Sequence, residues 1–231
     1  MKKKKIKSTI KWDKSILTFS MEGNKKDLNE FEREAKAFNS VNHVHVDNLV
    51  FISHRLSREE RQLRFRLELE KRKYQIGTIA FFGHGWSSGV QLGFNNKNEE
   101  LMAEGIVQNC TMPVKILLYS CTTSDALASK DSEIIKNGFA DQLRDALNAA
   151  GARGEIMGHD RAGHTARNPY AKRVCAMGNY FGQTDEDWEW YVKPGSELWH
   201  EWRQALKTDF RFTFPFCTNE QIAFYLGGPV D

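Results

Sequence analysis

Two short stretches of this 231-residue chain place chemistry-bearing side chains directly after apolar runs. Thr78-Ile79-Ala80-Phe81-Phe82 ends at Gly83-His84-Gly85, and Val114-Lys115-Ile116-Leu117-Leu118-Tyr119 ends at Ser120-Cys121. Continuous apolar runs of this kind suit strands buried on both faces of a parallel sheet. In open α/β sheets the reactive groups gather outside the carboxyl ends of the strands. If the two strands are neighbours, His84 and Cys121 emerge at one edge, where the imidazole can serve as base to the thiol. Histidine suits proton transfer near neutral pH, and a thiol needs less activation than a hydroxyl. Gly83 and Gly85 permit a tight turn and close approach of a substrate backbone, and the amides of Gly85 and Cys121 are candidates for holding an oxyanion. A cysteine closing an apolar strand is by itself usually a small buried hydrophobe. The joint placement of the two residues carries the catalytic reading.

Rival constellations use nearby residues. His84-Gly85-Trp86 also resembles the oxyanion turn of α/β-hydrolases, Gly85-Trp86-Ser87-Ser88-Gly89 matches G-x-S-x-G, and Gly158-His159-Asp160-Arg161-Ala162-Gly163 resembles an aspartate nucleophile elbow. An elbow at Asp160 must be followed by further strands, an acid and a histidine. Only 71 residues remain after it, with His164 and His200 the sole histidines. His43 and His45, on one face of an expected strand with His54 nearby, are metal-ligand types, yet no third or fourth ligand falls at a zinc spacing. Four cysteines (Cys110, Cys121, Cys175, Cys217) contain no C-x-x-C pair, which suggests reduced thiols rather than a zinc ribbon or disulfide framework.

The elements that must position these residues alternate in type. Ser15 to Ser20 reads as a strand, and Leu28, Phe31, Ala35 and Phe38 recur at helical spacing after it. Val44 to Ile52 is β-branched and leads to Ser57-Arg58-Glu59-Glu60, a capping box that opens a helix to about Tyr74. Leu63, Phe65, Leu67 and Leu69 alternate with charged residues as a strand would, but the cap and the Leu/Glu/Arg content favour helix. A hairpin around Val90 to Phe94 and a helix from about Glu99 to Val107 separate the two apolar runs. After Cys121 come a loop of small polar residues, a helix from about Glu133 to Ala149 ended by Gly151, and a strand at Glu155-Ile156-Met157. Near the C-terminus, Ser196 to Lys207 reads as a helix and Phe210 to Phe214 as an edge strand, among an aromatic-rich set that includes Trp188, Trp190, Tyr191, Trp199 and Trp202. The class is therefore α/β, a largely parallel sheet with helices on both faces.

Phe81-Phe82-Gly83-His84-Gly85 followed by Leu117-Leu118-Tyr119-Ser120-Cys121 resembles the His-Gly and Cys signatures of caspase-like cysteine peptidases, the clan that includes metacaspases, gingipains, clostripain and legumain. The resemblance implies a caspase-like α/β/α sandwich, a Cys121/His84 dyad, hydrolysis of peptide bonds, a protein or peptide substrate and no metal or cofactor. His164-Thr165-Ala166-Arg167-Asn168 is similar to the caspase Tyr-Ser-Trp-Arg-Asn segment, so Arg167 would bind an acidic side chain before the scissile bond. Tyr119 stands where caspases carry glutamine and metacaspases aspartate, and Asp160 could instead receive a basic side chain. Relatives of this kind are often made as precursors, and Thr122 to Asp131 is the expected processing loop. A non-catalytic interaction module on the same fold and an α/β-hydrolase using Asp160 are the alternatives.

Composition bounds the remaining choices. With 40% hydrophobic residues, 6 Trp and 15 Phe, the chain can bury a core, which excludes a disordered or collagen-like protein. The formal charge of +3 divides unevenly: residues 1–14 hold seven lysines and Asp13, a net +6, which leaves −3 for the rest. Residues 1–14 read as a solvated basic arm and 15–231 as one domain, so nucleic acid is not an expected partner. Ile6-Lys7-Ser8-Thr9-Ile10 is not the apolar core of a signal peptide, and no apolar stretch reaches the roughly 18 residues of a membrane span. The expected compartment is cytoplasmic.

Overall fold

Each continuous apolar run of the sequence lies in a strand buried from both sides. The structure, a computed structural model, describes residues 15–23, 30–124, 138–159, 171–177 and 189–192. Its first half contains β1 (Ile16–Met21), α1 (Glu30–Val41), a 3-10 turn (Val46–Asn48), β2 (Leu49–Ile52), α2 (Arg58–Lys71) and β3 (Ile76–Phe82). The short strands β4 (Gly85–Trp86) and β5 (Gly89–Val90) lead to α3 (Glu99–Asn109) and β6 (Cys110–Tyr119). Then come α4 (Phe139–Ala149), β7 (Arg153–His159), β8 (Ala171–Met177) and β9 (Glu189–Val192).

Seven of these strands form one sheet in the order β2-β1-β3-β6-β7-β8-β9. The first five are parallel, β8 is antiparallel to β7, and β9 is antiparallel to β8. Side chains alternate across a strand, and aromatic contacts show which helix covers which face. Phe65 of α2 packs on Phe19 of β1 (ring centroids 5.0 Å apart), which is in register with Phe81 of β3. Phe38 of α1 packs instead on Phe82 and Tyr119, at 5.6 and 5.7 Å. Phe81 and Phe82 point to opposite faces, so α1 and α2 lie on opposite sides of the sheet. α3 packs beside α2, and α4 beside α3. The architecture is an α/β/α sandwich.

Register is held by charge as well as by the apolar core. Lys115 of β6 stands directly opposite Glu155 of β7, and their charged ends are 3.0 Å apart. A slip of one residue would move each side chain to the other face and separate the two charges.

α2 starts at the capping box expected of Ser57: its hydroxyl accepts the Glu60 N–H, and the Glu60 carboxylate accepts the Ser57 N–H. The alternating leucines resolve as helix. Phe65 and Leu69, four apart, are fully buried, while Leu63 and Leu67 are 55% and 49% exposed on the other side. The end of this helix differs from expectation, since Arg72 to Gln75 form turns rather than a further turn of helix.

Two further expectations are revised. His43 and His45 are not on a strand: His43 has φ 54° in the turn after α1, and the exposed His45 caps the 3-10 turn, its Nδ1 accepting the Asp47 N–H at 3.3 Å. Among the described residues no cluster of three or more His, Cys, Asp or Glu side chains could hold a metal. The reversal expected around Val90 to Phe94 is present, with Gly89 bridged antiparallel to Asn95 and the Val90 N–H donating to the Phe94 carbonyl at 2.9 Å, and a hairpin the sequence did not show precedes it, with Gly85 opposite Val90 and Trp86 opposite Gly89. The expected strand at Glu155 to Met157 extends from Arg153 to His159. The start of the expected helix at Glu133, the expected helix Ser196 to Lys207, the expected strand Phe210 to Phe214, the basic arm, Trp188, Trp199 and Trp202 lie outside the described residues. No helix among the described residues is long and apolar enough to cross a membrane.

Candidate active site

β3 and β6 are hydrogen-bonded neighbours, and their last registered pair is Phe82 with Tyr119. His84 and Cys121 each follow two residues later, so both leave the sheet at the carboxyl edge of adjacent parallel strands, about 4.8 Å apart in the pairing direction. The switch in strand order is next to them: the chain leaves β1 toward β2 on one side, and β3 lies on the other. This is where an open α/β sheet forms its crevice. Both side chains are partly exposed, as groups meeting a substrate must be.

Glycines bring the two loops into contact. A Cβ on Gly83 would lie 2.5 Å from Phe81 Cζ and 2.7 Å from Met21 Cγ, so the turn after β3 presses directly on the end of β1. A Cβ on Gly85 would lie 2.6 Å from Ser120 Cβ, 2.8 Å from Thr123 Cγ2 and 2.9 Å from the Cys121 carbonyl oxygen. The histidine loop therefore rests on the cysteine loop with no room for a side chain between them. Gly85 pairs with Val90 in the β4–β5 ladder, and the bond from Gln91 N–H to the His84 carbonyl (2.9 Å) brackets that pair. Gly85 thus occupies a non-hydrogen-bonded position, and its own N–H points away from β5.

The cysteine loop is tied down at three points. Thr123 Oγ1 donates to the Ser120 carbonyl at 3.4 Å, Ser124 N–H donates to the His159 carbonyl at 2.8 Å, and Ala140 N–H donates to the Thr123 carbonyl at 2.8 Å. The last of these uses one of the N–H groups that the first turn of α4 leaves without a helical partner. Thr122, directly after Cys121, has φ 51°, a conformation costly for a β-branched residue and characteristic of functional turns.

Tyr119 lies beneath the site rather than on its surface. It is fully buried, its ring stacked on Phe82 at 4.6 Å and 18°, and burial pushes its phenol above the ordinary range, so it stays neutral. Arg167 and Asp160 lie outside the described residues. The serine of the G-x-S-x-G match does not sit on a strand-to-helix elbow, because Ser87 and Ser88 form the two-residue turn between β4 and β5. The elbow expected at Asp160 falls on residues outside the described ones, and the next described strand, β8, runs antiparallel to β7 with Ala171 directly opposite His159.

Two residues that the sequence did not single out touch His84. Phe31 of α1 meets its ring in a T-shaped contact, centroids 4.9 Å apart and planes at 87°. Gln91 accepts the His84 N–H on its side-chain Oε1 at 3.1 Å. Phe31 was legible only as part of the apolar stripe of α1. Gln91 would have needed the position of the hairpin turn, which brings residue 91 back beside residue 84. No protein-family model, curated protein or solved structure matches the chain.

Proposed function

We propose that the chain is a cysteine endopeptidase resembling the caspase-like family, with Cys121 as nucleophile and His84 as its proton acceptor and donor. The observation that supports this most strongly is the registered exit of both residues from adjacent parallel strands, with Gly85 packed against Ser120, Thr123 and the Cys121 carbonyl. In this reading His84 takes the thiol proton as the Cys121 sulfur attacks the peptide carbonyl, and returns it to the departing amine. Water then hydrolyses the thioester. The Gly85 N–H, directed away from its hairpin partner, is the described group best suited to face the oxyanion, and the Cys121 N–H is the second donor of the proposal.

The buried, neutral Tyr119 supplies no charge to a specificity pocket, so selection of the residue before the scissile bond falls to Arg167 or Asp160. Arg167 favours an acidic side chain and Asp160 a basic one. We place the protein in a reducing compartment such as the cytoplasm, where thiols such as Cys110 and Cys121 stay out of disulfides.

Cys121→Ala and His84→Ala test the reading with a library of fluorogenic peptides and a thiol-reactive peptide probe. Both variants are expected to lose hydrolysis, and Cys121→Ala to lose labelling. Cleavage unchanged by Cys121→Ala would refute a Cys121 nucleophile, and wild-type protein that neither cleaves nor labels would leave the fold as a binding module.

A further inference from the structure

The His84 main chain is held on both its polar groups by one residue. Gln91 donates its N–H to the His84 carbonyl at 2.9 Å and accepts the His84 N–H on Oε1 at 3.1 Å. The first of these bonds belongs to the hairpin and survives any substitution at position 91 except proline. The second depends on the glutamine side chain. Gln91 is itself anchored: Arg61 Nη1 on the first turn of α2 donates to the Gln91 carbonyl at 2.6 Å, while its Nε donates to the Ser57 carbonyl at 3.3 Å. The same turn holds the rest of the loop. Arg58 Nε and Gln62 Nε2 both donate to the Gly93 carbonyl, at 3.1 and 2.6 Å, and Arg58 Nη2 donates to Asn95 Oδ1 at 3.2 Å. A chain of hydrogen bonds therefore runs from the start of α2 through Gln91 to the backbone of His84, and Phe31 fixes the ring from α1.

We infer that Gln91 is the positioning residue of the active site: its side-chain Oε1 fixes the Gly83–His84 peptide and with it the direction of the His84 imidazole, while its main-chain N–H, through the His84 carbonyl, holds the peptide plane that carries the Gly85 N–H. The inference rests on the peptidase reading above. A residue held on its N–H and its carbonyl loses the freedom to rotate its φ and ψ, and that rotation would carry the imidazole and the next amide away from Cys121 together. Reacting groups displaced by about 1 Å lose about 100-fold in rate. Losing one of two anchors displaces them less, so the expected loss is about 10- to 30-fold.

The test compares Gln91→Leu and Gln91→Glu with wild type on the same fluorogenic peptides. Gln91→Leu removes the acceptor and is expected to lower kcat about 10- to 30-fold with KM little changed. Gln91→Glu keeps an acceptor at the same reach and is expected to restore most of kcat. It also brings a negative charge onto the His84 main-chain N–H, near the dyad, which favours imidazolium and disfavours thiolate, so the pH–activity profile moves to higher pH by about one unit. A merely structural contact would not produce that pair of results. Wild-type kcat in Gln91→Leu, or equal losses in both variants with no alkaline shift, overturns the inference. Failure of the underlying reading shows separately, as peptide cleavage that persists in Cys121→Ala.

Discussion

Gly85→Ala gives the sharpest test of the contact between the two loops. The added methyl carbon would lie 2.6 Å from Ser120 Cβ and 2.9 Å from the Cys121 carbonyl oxygen. Carbon atoms in contact prefer about 3.5 Å or more, so the loops must part by about 0.9 Å. Neither neighbour can swing aside. Ser120 Cβ is fixed to a buried main chain at the end of β6, and the other contact is a backbone oxygen. Overpacking of this kind costs about 1–3 kcal/mol. At about 2–4 °C per kcal/mol for a chain of this size, the melting temperature should fall by roughly 5 °C. The larger effect is on rate, since a displacement near 1 Å between base and nucleophile costs about 100-fold in kcat/KM. Gly105→Ala is the control. Its methyl would meet Arg66 Cγ at 3.4 Å and Phe65 Cε1 at 3.9 Å inside α3, so it is expected to stabilise the protein by about 0.5–1 kcal/mol with activity intact. Peptide hydrolysis and thermal melts on both variants decide the matter. Gly85→Ala with wild-type kcat/KM would refute the claim that these loops form one catalytic surface.

Three further outcomes follow from the cysteines and from the processing loop. Cys110 is 3% exposed and burial pushes its thiol up to about 12, so iodoacetamide near pH 8 should modify Cys121 and spare Cys110, as read by peptide mass mapping. The same burial fixes a pH dependence. A folded thiol near 12 against an unfolded value of about 8.5 contributes stability in full below pH 8.5 and loses it as pH rises toward 12. Urea midpoints should accordingly decline across that range and decline less in Cys110→Ala; equal slopes would refute the assignment. Prolonged incubation of wild-type protein is expected to produce a cut within residues 122–131 that Cys121→Ala does not show. A cut after Asp125 or Asp131 indicates acidic specificity and one after Lys130 basic specificity, and an intact chain rules out self-processing.

The parts of the fold that were legible are those whose burial is written in composition. β3 and β6 are continuous apolar runs because both their faces are covered, and their ends marked His84 and Cys121 without reference to any contact. α2 was readable despite a strand-like alternation, because Ser57 and Glu60 specify a helix start whatever follows. β8 was not readable. Ala171-Lys172-Arg173-Val174-Cys175-Ala176-Met177 has no clean two-residue period, and its pairing with β7 decides its state. The histidines at 43 and 45 misled for the opposite reason, since a β-branched neighbourhood suggested a strand where a left-handed residue and a 3-10 turn intervene. At the candidate site, residue types and their order picked out His84 and Cys121, but the contacts of Gln91 and Phe31 with His84 come from proximity created by the hairpin and by α1, which no local pattern encodes.

The position of β3 and β6 within the sheet bears on how activity would fail under stress. They are the third and fourth of seven strands, flanked by β1 on one side and β7 on the other, while β2 at the edge is only four residues long. Opening that begins at an exposed edge reaches such interior strands last. Heat or denaturant can therefore fray β2 while His84 and Cys121 stay in register, and the two residues part company only when the centre of the sheet comes apart.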